Sequence, residues 1–298
     1  MHHRGAASRK RRLASITLAV VLALGLVGCG QKADTATPKP AEKPATSEVI
    51  LASTTSTQDS GLFDVLIPAF EKAFPQYKVK VIAVGTGEAL KMGETKDADV
   101  LLVHAKADEV KFVDNGFGTE RKDVMYNDFV LVGPASDRAG IKDSADTTAA
   151  MIAIQKAGAA GKTIFVSRGD DSGTNKKELK MWSAAEIATP TPSAYAWYLS
   201  TGQGMGETLK VADEKAAYTL VDRATYLTMK DAIPGLGILY EKDKGLLNQY
   251  GVIVVKDAKN QAGGQAFADW ITSAAGQKAA GEFGVQKYGQ QLFVPNAE

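Results

Sequence analysis

The sequence predicts an α/β fold, and three features carry that expectation. Apolar strand-like runs alternate with helical patterns along the chain of 298 residues, the order expected of parallel sheet with crossover helices. Three of those runs end in glycine- or hydroxyl-rich turns that open helices. In open α/β sheets, ligands collect outside such strand ends. The hydrophobic content, 45%, is ample for one large domain or two lobes.

The first residues read as an address. Arg4, Arg9, Lys10, Arg11 and Arg12 precede an apolar stretch from Leu13 to Val27, which is too short for a spanning helix. It ends in Leu26-Val27-Gly28-Cys29, which resembles the lipobox of bacterial lipoproteins. Residues 1–28 are therefore expected to be a lipoprotein signal peptide, with Cys29 as the lipidated first residue of the mature chain. The other reading is a plain secretory signal with an incidental cysteine. Cys29 is the sole cysteine, so no intrachain disulfide and no cysteine metal cluster is available. Residues 29–47 hold no large apolar side chain after the anchor and read as a flexible tether. The expected location is extracytoplasmic, lipid-anchored to the bacterial cell membrane.

Removing residues 1–28 takes five basic residues with it. The remaining chain has 30 basic and 34 acidic residues, a formal −4. Such a body has no bulk attraction for nucleic acid, and any anion must be held by a local site.

The elements follow in order. Ile50-Leu51-Ala52 is a strand that runs into Ser53-Thr54-Thr55-Ser56-Thr57. Leu62, Phe63, Leu66, Ile67, Phe70 and Phe74 share one helical face, with Pro68 expected to kink that helix or delay its regular part. Val79 to Val84 is a strand that ends in Gly85-Thr86-Gly87, and Ala98 to Val103 reads as a buried strand. Val124 to Val132 is a long strand stopped by Gly133-Pro134. Lys162 to Val166 is a strand, Asn175 to Ala185 a helix, Gly251 to Val255 a strand, and residues 263–284 are helical. Trp182, Trp197 and Trp270 sit in core-like contexts.

Residues 167–174, Ser-Arg-Gly-Asp-Asp-Ser-Gly-Thr, are the most informative of the three turns. The first N–H groups of a helix lack partners within it, and the helix dipole makes that end partly positive. Hydroxyls from Ser172 and Thr174 and the guanidinium of Arg168 complete an anion cradle. The alternative is ordinary N-capping by Ser172, with Arg168 paired to Asp170. The same two readings apply to the turns at 53–57 and 85–87.

These residues also carry a family resemblance. Ala52 to Gly61, Val84-Gly85-Thr86-Gly87, Met125 to Pro134, Arg168 to Thr174, Gly202-Gln203-Gly204-Met205-Gly206, Ala217 to Arg223 and Gln291 to Pro295 resemble tungstate-binding proteins of bacterial ABC importers. The likeness spans essentially the whole mature domain. The core of the third turn also resembles phosphate-binding proteins of the same superfamily. Two positions depart from the pattern: Ser53 stands where Thr is expected, and Asn175 where His is expected.

The resemblance implies a two-lobe type II solute-binding fold, each lobe a mixed, mostly parallel sheet flanked by helices. Lobe one would be 48–126 and 254–298, lobe two 134–247, and hinge strands 124–133 and 249–256. The ligand-binding residues it implies are Thr54, Thr55, Ser56, Thr86, Arg168, Ser172, Gly173 and Thr174. It implies tungstate or molybdate as ligand, no cofactor, a permease and its ATPase as partners, and a monomer.

A tetrahedral dianion needs many donors, and N–H groups, hydroxyls and one Arg supply them. Phosphate keeps a proton near neutral pH and benefits from a carboxylate facing it, whereas that carboxylate would repel tungstate, molybdate or sulfate. Asp170 and Asp171 flank the cradle, so a phosphate or sulfate site stays open on the residues alone. Asp170 is expected to orient Arg168, Glu88 to point to solvent, and Lys176 and Lys177 to form a solvated helix face. A serine hydrolase is the rival class. It would have to use His104, the one histidine outside the signal segment, and no Gly-x-Ser-x-Gly elbow is present, so the chain is not expected to be an enzyme.

Overall fold

A computed structural model of the chain describes residues 46–298. The expected signal peptide, Cys29 and nearly all of the tether lie outside the described residues. Among the described residues no helix is long and apolar enough to cross a membrane.

The body is a two-lobe α/β structure. The first half opens with strand β1 (Ser47–Thr54), the short helix α1 (Thr55–Asp59) and helix α2 (Phe63–Ala73). Strand β2 (Tyr77–Val84), helix α3 (Thr86–Glu94), strand β3 (Val100–Val103) and helix α4 (Lys106–Asp114) follow. β1 pairs in parallel with β2 and β3, as the crossover helices require. Pro68 lies inside α2, whose apolar face (Phe63, Leu66, Phe70) is buried. Phe70 packs edge-on against Trp270, with ring centroids 5.6 Å apart. Burying a side chain of that size contributes roughly 1.5–3 kcal/mol.

The long strand β4 (Gly118–Pro134) then leaves this half. Residues 118–128 of β4 pair with strand β9 (Leu247–Val255) in the first sheet. From Phe129 onward β4 pairs instead with β7 (Thr219–Asp222) and β8 (Leu236–Tyr240). The chain thus passes outward between the sheets at Asp128–Phe129, and it returns between β8 and β9. Arg223 braces the outward passage: its Nε donates to Asp128 at 2.8 Å and its Nη1 to Glu241 at 2.6 Å.

The second half also contains α5 (Thr147–Ala159), β5 (Phe165–Ser167), α6 (Gly173–Ala184), β6 (Tyr198–Ser200), α7 (Met205–Glu214) and α8 (Arg223–Met229). β5 pairs in parallel with β6 and bridges to Tyr218. Among the described residues, parallel pairing is confined to β2-β1-β3, to β5-β6 and to the bridge from Phe165 to Tyr218. The strands that travel between the halves run against their neighbours, which gives the sheets a larger antiparallel share than crossover helices alone would. Trp182, Trp197 and Trp270 are all buried, whereas Tyr195 is exposed.

The C-terminal residues return to the first half as α9 (Gln261–Thr272), α10 (Ala274–Glu282), α11 (Val285–Tyr288) and β10 (Val294–Pro295). The helical stretch expected over 263–284 is broken at Ser273, which is extended (ψ 165) and accepts the Gly276 N–H to cap the second helix.

Candidate functional site

All three turns singled out in the sequence meet between the halves. Each is local chemistry first. Thr54 ends β1 and N-caps α1, its Oγ1 accepting the Thr57 N–H. Gly85 follows β2 and holds the N-cap position of α3, which starts at Thr86. Ser172 N-caps α6, its Oγ accepting the Asn175 N–H at 3.1 Å, as the capping reading expects. The turn before it needs left-handed backbone at Gly169 (φ 59) and Asp171 (φ 56), conformations that Gly and Asp tolerate.

Tertiary contacts then join the turns. Arg168 Nη2 donates to Thr55 Oγ1 at 2.8 Å across the interlobe space, and also to Asp170. Gly173 N–H donates to Thr86 Oγ1 at 3.0 Å, and Gly87 N–H to the Asp171 carbonyl at 3.3 Å. Asp59 at the end of α1 accepts the Gly206 N–H at the start of α7 at 3.1 Å, where the helix dipole favours a carboxylate. The halves are therefore closed on one another.

Among the residues expected in the site, Thr54, Ser56, Thr86, Arg168, Ser172, Gly173 and Thr174 are buried and Thr55 is partly so. Arg168 is 2% exposed, yet among the described residues its Nε and Nη1 have no hydrogen-bond partner, and neither does the buried Oγ1 of Thr174. Burial pulls the Arg168 guanidinium below its ordinary value, with Asp170, Asp59 and Asp222 opposing that. It stays charged at any pH at which proteins fold. A buried cation with two unpartnered nitrogens beside buried hydroxyls is a built place for an anion. Thr86 and Gly173, both expected in the site, are bonded to each other.

The carboxylates near the cradle are spoken for. Asp170 takes Arg168 and the Ser172 N–H, the latter at 3.2 Å. Asp171 is exposed and pairs with Lys176, and Glu88 is exposed. Lys176 also reaches Asp108 on the other half at 3.0 Å, so it is a partly buried interlobe ion pair and not a solvated helix face. Lys177 lies over the Phe129 ring and donates to the Leu247 carbonyl at 3.2 Å.

Two buried groups stand behind the cradle: Glu178, which no sequence pattern singles out, and His104, which the sequence places only in the rival hydrolase reading. Glu178 accepts from Ser167, from Trp182 Nε1 at 2.9 Å and from Tyr198 OH at 2.7 Å, and burial pushes its carboxyl above the ordinary range. It anchors the strand that delivers Arg168. His104 directly follows β3, with its Nε2 3.1 Å from Thr54 Oγ1 and 3.3 Å from Ser56 Oγ. Burial, and then the charge of Arg168, pull its pKa down to about 4, so the ring is neutral near pH 7. Asn175 bonds the Asp171 N–H and Ser167 Oγ, contacts that lie behind the cradle.

The comparisons with known proteins show the family. Residues 39–275 match the model of the PBP superfamily domain. The chain is 50% identical to the tungstate-binding protein TupA of Peptoclostridium acidaminophilum, over 97% of this chain and 99% of that one. The solved tungstate ABC transporter structure from Geobacter sulfurreducens is 44% identical, with a TM-score of 0.70 over 79% of this chain and 98% of its own. The tungstate-binding protein TupA of Desulfovibrio alaskensis G20 is 46% identical, with a TM-score of 0.67 over 84% of this chain and 99% of its own. The chain belongs to the PBP superfamily, and within it to the family of these tungstate-binding proteins.

Proposed function

We propose, from that membership, that this protein is the extracytoplasmic solute-binding component of an ABC importer. It takes up tungstate between its two lobes and hands it to a permease driven by its own ATPase. The observation that carries the oxyanion reading is Arg168: buried, charged, and with Nε and Nη1 unpartnered beside the hydroxyl-rich turns. In this reading Arg168, Thr174 and Ser172 supply the second lobe's donors. Thr54, Thr55, Ser56 and Thr86 supply those of the first. The hinge is the pair of passages at β4 and before β9, and ligand contacts to both lobes favour the closed form.

An unprotonated dianion suits the site better than phosphate does. Phosphate keeps a proton that wants a carboxylate acceptor, and Asp170 is engaged while Asp171 and Glu88 face outward. Calorimetric titration with tungstate, molybdate, sulfate and phosphate at neutral pH tests this. A site sized for a large tetrahedral ion leaves sulfate short of one lobe, and each unmade bond to a buried donor costs roughly 1–3 kcal/mol. Two such losses put sulfate about a hundredfold or more behind tungstate. Sulfate or phosphate binding as tightly as tungstate would overturn the assignment.

The anchor belongs to the same reading. Cys29 carries the lipid, residues 29–47 tether a monomeric body, and Cys29→Ala leaves an unprocessed precursor whose folded domain still binds. A wild-type N-terminus elsewhere, with Cys29 unmodified by mass spectrometry, counts against it.

A further inference from the structure

The hydroxyls of Thr54 and Ser56 are backed by a chain of hydrogen bonds that starts at the two strands passing between the lobes. Resting on the oxyanion reading, we propose that Asp222, Asn127 and Asn248 form a positioning relay. It fixes His104 as the neutral Nδ1–H tautomer, so that its bare Nε2 holds one of the two cradle hydroxyls, Thr54 or Ser56, and leaves the other to donate to the anion.

The direction of every bond follows from one end. Asp222 is fully buried and accepts from Thr225 N–H at 3.0 Å, from Thr225 Oγ1 at 2.6 Å and from Asn127 Nδ2 at 3.3 Å. An ionised carboxylate only accepts, so the Asn127 amide must turn its NH2 toward Asp222. Its oxygen is then left for Asn248, whose Nδ2 lies 2.7 Å away. Asn248 in turn has only its oxygen to offer His104, and Oδ1 is 3.0 Å from Nδ1. Nδ1 must therefore carry the proton, and in a neutral ring Nε2 is bare.

A bare Nε2 accepts one hydroxyl proton, and the two oxygens within reach are those of Thr54 at 3.1 Å and Ser56 at 3.3 Å; the one that does not donate to the ring keeps its proton for the anion. The Nε2–H tautomer or an imidazolium would instead point N–H at those oxygens and rearrange the donors of the turn. The ring has little freedom otherwise. Tyr250 covers it at 4.8 Å between centroids and Phe129 at 6.3 Å, and Gly173 presses on its edge. Asn127 and Asn248 are register partners on β4 and β9 at the passage between lobes. The arrangement of the first lobe's donors is therefore tied to the strands about which the lobes move.

The test is the protonation pattern of the imidazole nitrogens in full-length protein labelled with 15N-histidine. Long-range proton–nitrogen NMR at pH 7, with His104→Gln to assign the signal against His2 and His3, should show Nδ1 protonated and Nε2 bare. Asn127→Ala makes the relay claim specific, because Asn127 has no hydrogen bond to His104. It should spread His104 over both tautomers and weaken calorimetric binding of sodium tungstate by about tenfold, the equivalent of one misplaced hydrogen bond. Circular dichroism serves as the folding control. A wild-type Nε2–H or imidazolium pattern overturns the proposal, as does a folded Asn127→Ala protein with the wild-type pattern. If that variant does not fold, the wild-type spectrum decides. The spectrum is read without ligand, so wild type that fails to bind tungstate counts against the oxyanion reading and not against the relay's geometry.

Discussion

The two sides of the cradle are built on opposite plans. On the first lobe, the hydroxyls of Thr54, Ser56 and Thr57 are bonded to one another and to His104, with no charge among them. On the second, Arg168 and Thr174 hold buried polar atoms with no partner among the described residues. A self-bonded turn keeps its shape with or without an anion. A guanidinium buried with two of its three nitrogens unpartnered is costly unless an anion joins it. The first side supplies pre-organisation, and the second supplies the charge that makes closure depend on ligand.

The charged side should give the largest effect. Arg168→Ala should cost on the order of 2–5 kcal/mol of tungstate binding, the range for truncating one partner of a buried charged pair. Arg168→Lys should recover only part of it, since a point charge cannot serve Thr55, Asp170 and an anion with a planar fork. Titration calorimetry with a dichroism control measures both. An Arg168→Ala protein that binds as tightly as wild type removes the contrast between the two sides.

The first lobe answers to pH instead. His104 is buried neutral with a pKa near 4, against 6.5 when unfolded. Below pH 6.5 the unfolded chain takes up a proton that the folded ring refuses, so this histidine's contribution to stability falls with pH. The loss by pH 4 is about 3 kcal/mol. Asp222, raised to about 6, and Glu109, raised to about 7, act in the opposite sense over an overlapping range. The useful quantity is therefore the difference between wild type and His104→Gln in urea melts at pH 7 and pH 4. That difference should shrink by about 3 kcal/mol on acidification. An unchanged difference means that the imidazole protonates freely and the turn is not backed by a neutral ring.

This division also explains what the sequence disclosed. Arg168 and its turn were legible because strand, glycine, hydroxyl and helix follow one another within eight residues, a local pattern with a local cause. His104, Asn127, Asn248 and Asp222 were not. They meet only because β3 lies beside β1 and because β4 and β9 run together, and a single sequence does not state strand order. The break at Ser273 was readable in principle, since Ser before Ala-Ala-Gly is an N-cap signal, but the apolar periodicity continues across it. Glu178 is a plain helical glutamate until Trp182 and Tyr198 are known to close over it.

The smallest effects should come from the glycines where the two sides touch, and their ranking separates fixed from yielding neighbours. A Cβ on Gly173 would stand 2.5 Å from His104 Nδ1 and 3.1 Å from the His104 carbonyl oxygen. Neither is free to retreat, because the ring is held by Asn248 and the carbonyl is backbone. Gly173→Ala should therefore hold the lobes slightly apart and cost roughly 1–3 kcal/mol of tungstate binding, the usual penalty of overpacking. A Cβ on Gly87 would meet the Asp171 carboxylate at a shorter distance still, 1.9 Å. That side chain is 68% exposed and can swing away, giving up only its surface pairing with Lys176. An exposed pair of this kind is worth about 0–1 kcal/mol, so Gly87→Ala should bind nearly as wild type does. Calorimetry on the two variants, with thermal melts to show that each is folded, orders them. If Gly87→Ala proves the more damaging, the closest approach between the lobes lies at the exposed rim and not against the imidazole, and His104 does not set the limit of closure.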